Sequence, residues 1–306
     1  ESERFLPNGW TPNHIDDRGR VDYEFRVLRT EVAQTQYVDF VRAFRPYWLS
    51  IANIPGHVES GSQIATAMSG VGISIFGGVE VNPDFNNSAV TISWRNAARY
   101  CNWLHHGAPT DPEAITWETF NTGAYTFTDE SFVNARRGPI TRNEDARFWL
   151  PSLDEHLKAA YYDPNRYGEG EEGYWMYPNS SDNVPAFGPP GEGEWGYAED
   201  DSFAQRLEVG RFPDTQSPWG LLDVMGTADE WVETPNVLLL WEGVWEASQR
   251  TVVGTQGPFH GLIDGWGARG QTGDSLAFRI ATIVPAPGVP LSILLPAFGL
   301  AARRRR

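Results

Sequence analysis

Between residues 164 and 200 the chain contains Gly168-Glu-Gly-Glu-Glu-Gly173 and Gly188-Pro-Pro-Gly-Glu-Gly-Glu-Trp195. Such a stretch has too little apolar surface to offset the entropy of ordering itself, which predicts a long loop lying over a core built elsewhere. A loop of that length is either functional or mobile. The same punctuation runs through the whole chain: Gly occurs 31 times and Pro 22 times, with 13 Trp as large anchors. That predicts a loop-rich mixed fold with few long helices. With 306 residues, a sizeable core can form as one large domain or two smaller ones.

Charge and sulfur narrow the function. A formal net charge of -16 and a pI near 4.8 repel a polyanion and exclude nucleic acid as a partner. Acidic surfaces suit exported proteins and cation binders. One cysteine excludes an internal disulfide and every chemistry that needs a cysteine pair.

Along the chain, residues 1–20 are polar and rich in turn formers and form an N-terminal extension. Val21–Leu28 alternates as a strand. After Thr30-Glu31-Val32 a helix follows over Gln34–Phe44, with Tyr37, Phe40, Val41 and Phe44 at helical spacing. Residues 50–92 are irregular, with one or two strands such as that within Val71–Phe76. Ser93 is the N-cap of a second helix, on which Trp94, Ala97, Cys101 and Leu104 share one face. That placement makes Cys101 a buried structural residue. Adjacent histidines on a helix diverge, so His105 and His106 are expected as helix C-terminal cations; the other four histidines show no ligand spacing. Residues 107–141 are a polar insertion with a short strand in Gly123–Phe127. Ser152 and Glu155 form a capping box ahead of a helix burying Leu153, His156, Leu157 and Ala160.

Gly220-Leu-Leu-Asp-Val-Met-Gly-Thr-Ala-Asp-Glu-Trp231 combines small residues with three carboxylates, as an oxygen-lined turn would. Its residues alone fit either an acidic turn between strands or part of a site for a hard cation. Glu199-Asp-Asp-Ser-Phe203 is likewise either a solvated acidic run or a second such site.

The stretch Gly220–Trp231 resembles the signature of the formylglycine-generating enzyme (sulfatase-modifying factor) superfamily, matching at Gly220, Leu221, Asp223, Gly226, Glu230 and Trp231. Thr227 stands where Asn is usual, and Asp229 where a Trp is usual. Ala97–Leu104, Phe148–Asp163 (with His156 in the usual Trp position) and Leu276–Ala281 are similar to further motifs in family order. The resemblance covers residues 21–283. It implies a single loop-rich α+β domain related to C-type lectins. It further implies a structural calcium on Asp223, Gly226, Ala228 and Glu230, and a second calcium involving Asp201 and Phe203. Catalytic members carry two copper-binding cysteines ahead of the terminal strand, and the corresponding Val253–Leu262 has none. No other side chain replaces thiolates as ligands for Cu(I), so no copper is expected. The reading is therefore a non-catalytic protein that binds a surface or matrix protein or glycan. The alternative is a formylglycine-generating-type oxidoreductase acting on protein cysteine.

Residues 284–306 form an address segment: Val284-Pro-Ala-Pro287, an uncharged run to Ala302, then four arginines. From Pro285 to Ala302, 18 residues would reach roughly 27 Å as a helix, just short of a bilayer core. The arrangement resembles the PEP-CTERM sorting signal of Gram-negative bacteria, with Ala286 in place of the usual Glu. It implies export, a transient inner-membrane anchor, cleavage by an exosortase-type processing enzyme, and release to the surface or extracellular matrix.

Overall fold

The computed structural model of the chain describes residues 19–51, 72–75, 77–127, 140–196, 208–225, 228, 230–235, 249–253, 263–269 and 276–283. Strand β1 is Phe25–Val27 and helix α1 is Gln34–Ile51. The short pair β2 (Ile73–Ser74) and β3 (Glu80–Val81) follows, then α2 (Trp94–His105) and α3 (Trp117–Asn121). After β4 (Phe148–Trp149) and α4 (Leu153–Tyr161) comes the hairpin of β5 (Tyr162–Gly168) and β6 (Glu171–Tyr174). The chain closes with β7 (Glu230–Pro235), β8 (Gln249–Val253), β9 (Ile263–Arg269), β10 (Ala277–Phe278) and β11 (Ala281–Ile283). Among the described residues this is an α+β arrangement of short strands around a few helices.

The core is aromatic. The apolar stripe of α1 meets α2, α3 and β10: Phe40 lies 5.6 Å from Tyr100, 5.9 Å from Trp103 and 5.9 Å from Phe120, and Tyr37 lies 6.2 Å from Phe278. Such edge-on pairs add about 0.5–1.5 kcal/mol each beyond the area they bury. Ser93 accepts from the Asn96 backbone N–H and starts α2. The helix is buried on nearly every side, because its polar face is also satisfied inside the protein. Asn102 Nδ2 donates to the carbonyls of Phe120 and Tyr125, and its Oδ1 accepts from the Tyr125 N–H at 2.7 Å.

Two sheets meet at one junction. β11 lies between β1 and β4, antiparallel to both, with Phe25 opposite Ile283 and Phe148 opposite Thr282. β10 runs parallel to β7, with Ala277 opposite Glu230 and Phe278 opposite Trp231, and β8 and β9 extend that sheet. The terminal motif is thus two strands in different sheets, and Arg279-Ile280 is the crossover between them. Two indole N–H groups tie α2 and the residues just ahead of it to β7: Trp231 Nε1 donates to Ile92 O at 2.7 Å and Trp94 Nε1 to Val232 O at 3.1 Å.

Several expectations change. Residues 164–200 are not simply a loop: the segment opens with the β5–β6 hairpin, braced by Arg166 against the rings of Tyr167 and Trp175. The first strand is shorter than Val21–Leu28. Helix α1 extends beyond Phe44 to Ile51, passing through Pro46. In place of a strand over Gly123–Phe127 there is a single bridge from Tyr125 to Arg142. Gly19 is docked, its N–H donating to Asp154 and its carbonyl accepting from Tyr174 Oη at 2.8 Å. Among the described residues, no helix is long and apolar enough to cross a membrane, and residues 284–306 lie outside them.

Candidate functional site

The β10–β7 register sets the site. With Phe278 opposite Trp231, the next residue, Arg279, reaches Glu230 at the start of β7. Its Nε donates to both carboxylate oxygens of Glu230 at 2.9 Å, and its Nη2 lies 2.9 Å from Oε1. Nη1 donates to Arg29 O at 2.8 Å, and Nη2 is 3.6 Å from Glu31 Oε2. Arg29 and Glu31 lie between β1 and α1. Asp223 comes from the turn that follows Gly220 and sits at φ 58, a left-handed conformation that Asp tolerates better than most residues. Its Oδ2 accepts from the Gly210 N–H.

The cluster therefore holds three buried carboxylates, Glu31, Asp223 and Glu230, facing one buried guanidinium. Burial pushes the Glu31 carboxyl well above the usual range; Arg279 pulls it down, and Asp223 and Glu230 push it further up. Burial also carries Asp223 up to about 6, against the Gly210 N–H and Arg279. His156 on α4 feels Glu230 and Arg279 as well, and burial lowers it to about 4, so it is neutral at pH 7. Neither oxygen of Glu31 nor Oδ1 of Asp223 has a hydrogen-bond partner among the described residues. Buried anionic oxygens left in this way are costly unless something positive reaches them.

Of the residues expected to hold calcium, the structure brings Asp223 and Glu230 into one cluster. Ala228 lies on the segment between them. Gly226, Asp201 and Phe203 lie outside the described residues. Among the described residues, no group of three or more His, Cys, Asp or Glu is arranged to hold a metal. A site built on Asp223, Glu230 and two backbone carbonyls has only two such side chains. The donor chemistry fits a hard cation: all oxygen, with Asp223 Oδ1 unpartnered and accepting capacity left on Glu230 Oε2. It does not fit Cu(I), since the only thiol in the chain, Cys101, is fully buried and burial raises its pKa well above the ordinary value.

Sequence reasoning missed Glu31, Arg279 and the orphaned oxygens. It identified Glu31 only as part of a lead-in and Arg279 only as part of a strand. A second network was half legible. Glu155 completes its capping box with Ser152, as expected, and also accepts from Trp149 Nε1, Tyr23 Oη and Arg142 Nη1. Arg142 stacks over Trp149 at 4.5 Å and lies 3.4 Å from Glu233. The expected cation at His105 is corrected: burial lowers its pKa, and its Nδ1 faces the Arg147 N–H at 3.3 Å as an acceptor.

A family model described as "Sulfatase-modifying factor enzyme 1-like domain" matches residues 16–256. No curated protein and no solved structure matches the chain.

Proposed function

We propose that this chain, which belongs to the sulfatase-modifying factor enzyme 1-like family, is an exported, non-catalytic protein that uses the family scaffold, related to C-type lectins, to bind at the cell surface or in the extracellular matrix. The observation that carries the reading is Cys101: it is the one cysteine of the chain, fully buried on α2 with its thiol held protonated. A thiol in that position is neither a nucleophile nor a soft-metal ligand.

Calcium stiffens the scaffold through Asp223, Gly226, Ala228 and Glu230, offsetting the excess negative charge beneath the signature turn. Asp201 and Phe203 contribute to a second calcium site. The C-terminal segment supports the address: its apolar run and four arginines resemble a sorting signal that an exosortase-type enzyme removes after transient anchoring in the inner membrane of a Gram-negative bacterium. Binding partners are a surface or matrix protein or glycan.

The family match favours one alternative, an oxidoreductase acting on protein cysteine. Oxygen uptake with copper and a cysteine-containing peptide decides between them. The proposal expects the rate of the copper control without protein, and sustained turnover would overturn it.

A further inference from the structure

The turn Ser217–Leu221 is fixed from three directions, yet it presents a large aromatic ring to solvent. Ser217 is buried; its hydroxyl donates to Ala159 O on α4 at 3.0 Å and accepts from the N–H groups of Trp219 and Leu221. Across the turn, Ser217 N donates to Leu221 O and Gly220 N to Ser217 O. Gly220 sits at φ 86, a conformation that its lack of a Cβ permits. From the β1 side, Arg29 Nε donates to Gly220 O and Leu222 N to Arg29 O. On this pinned turn Trp219 is 51% exposed.

Its ring is parallel to that of Tyr162 at the start of the β5–β6 hairpin, with an interplanar angle of 11° and 6.5 Å between centroids. Tyr162 is itself engaged by Lys158 Nζ, 5.7 Å from its ring centroid, and by the Tyr174 ring at 5.4 Å, so it braces the turn from one side and the open ring surface is that of Trp219. Acceptors border the pair: Tyr162 Oη donates to the Glu172 carboxylate, and Asp163 Oδ2 accepts from Trp175 Nε1.

We propose that Trp219, braced by Tyr162, is a stacking platform for a neutral pyranose chain. The chemistry selects that occupant. Flat, electron-rich ring faces attract the polarised C–H face of a sugar, and bordering carboxylates accept from its hydroxyls. A net charge of -16 repels polyuronates and nucleic acids, which could otherwise use the same ring faces. A turn already held in place loses little entropy on binding, as an aromatic anchor requires. The platform deepens the reading of the chain as a binding protein and rests on it.

The test is calorimetry, with tryptophan fluorescence alongside, on the full chain with cellohexaose, N-acetylchitohexaose and polygalacturonate. The parent binds at least one neutral hexasaccharide saturably. Trp219→Ala weakens that binding about tenfold or more, while Val184→Ser, at a surface position 71% exposed, leaves it unchanged. The platform is overturned if neither neutral sugar binds, if Trp219→Ala binds like the parent, or if polygalacturonate binds more tightly. Trp219-dependent binding of an apolar peptide in place of the sugars would also overturn it, giving the surface to a protein partner. These failures leave the non-catalytic reading standing, whereas copper-dependent turnover removes that reading whatever Trp219 does.

Discussion

Replacing Arg279 with Met deletes the cation that Glu31, Asp223 and Glu230 face, in a side chain of similar length. Three contacts of 2.9 Å to Glu230 and one of 2.8 Å to Arg29 O disappear. Glu230, 3% exposed, and Glu31, 0% exposed, are left without their counter-charge. Removing one partner of a buried ion pair costs about 3–5 kcal/mol, because the remaining charge stays desolvated. For a domain of this size each kcal/mol lowers the melting temperature by about 2–4 °C, so Arg279→Met is expected to melt roughly 6–20 °C below the parent. The loss is larger at about pH 8 than at about pH 5, since stranded carboxylates relieve their cost by taking up protons. Adding Glu31→Gln to Arg279→Met restores part of the loss, because the amide cannot ionise beside Asp223 and Glu230 once Arg279 is gone. Differential scanning calorimetry of the three proteins in EDTA at both pH values measures all of this. An Arg279→Met protein melting within about 2 °C of the parent at pH 8, or a double variant no better than the single, would refute the cluster as a charge-imbalanced core.

Asp223 gives a pH prediction with a definite sign. Its folded-state pKa is raised from the ordinary 3.8 to about 6, so it favours the folded state fully below pH 4 and progressively less as pH rises toward 6. Ionising it costs roughly 3 kcal/mol; in EDTA the melting temperature should fall between pH 4 and 6, and Asp223→Asn should flatten that slope. Cys101 predicts silence: a disulfide-exchange reagent should label no thiol in the native protein and one per chain in guanidinium chloride, and rapid native labelling would remove the main support for a non-catalytic reading.

Short-range features were legible in the sequence. The Ser152/Glu155 capping box, the Ser93 cap and the burial of Cys101 depend on neighbours within a turn or two, and the structure places each as expected. Features fixed by sheet register were not. Arg279 and Glu230 are 49 residues apart, and only the β10–β7 pairing brings them together. Tyr23 and Glu155, 132 apart, meet for the same kind of reason. The β5–β6 hairpin escaped notice because both strands lie mostly at the surface. They show no apolar alternation, and aromatic and Arg166 side-chain contacts hold them in its place. The exposure of Trp219 depends on a contact between residues 58 apart, the Ser217 hydroxyl to Ala159 O on α4, which no local pattern signals.

The most direct test of the central claim, a calcium-stabilised scaffold without redox chemistry, is a calcium titration of the EDTA-treated chain by isothermal calorimetry, paired with melting curves. The account predicts saturable calcium binding and a higher melting temperature, with both effects largely lost in Asp223→Asn. No calcium binding, together with melting curves identical in calcium and EDTA, would contradict it.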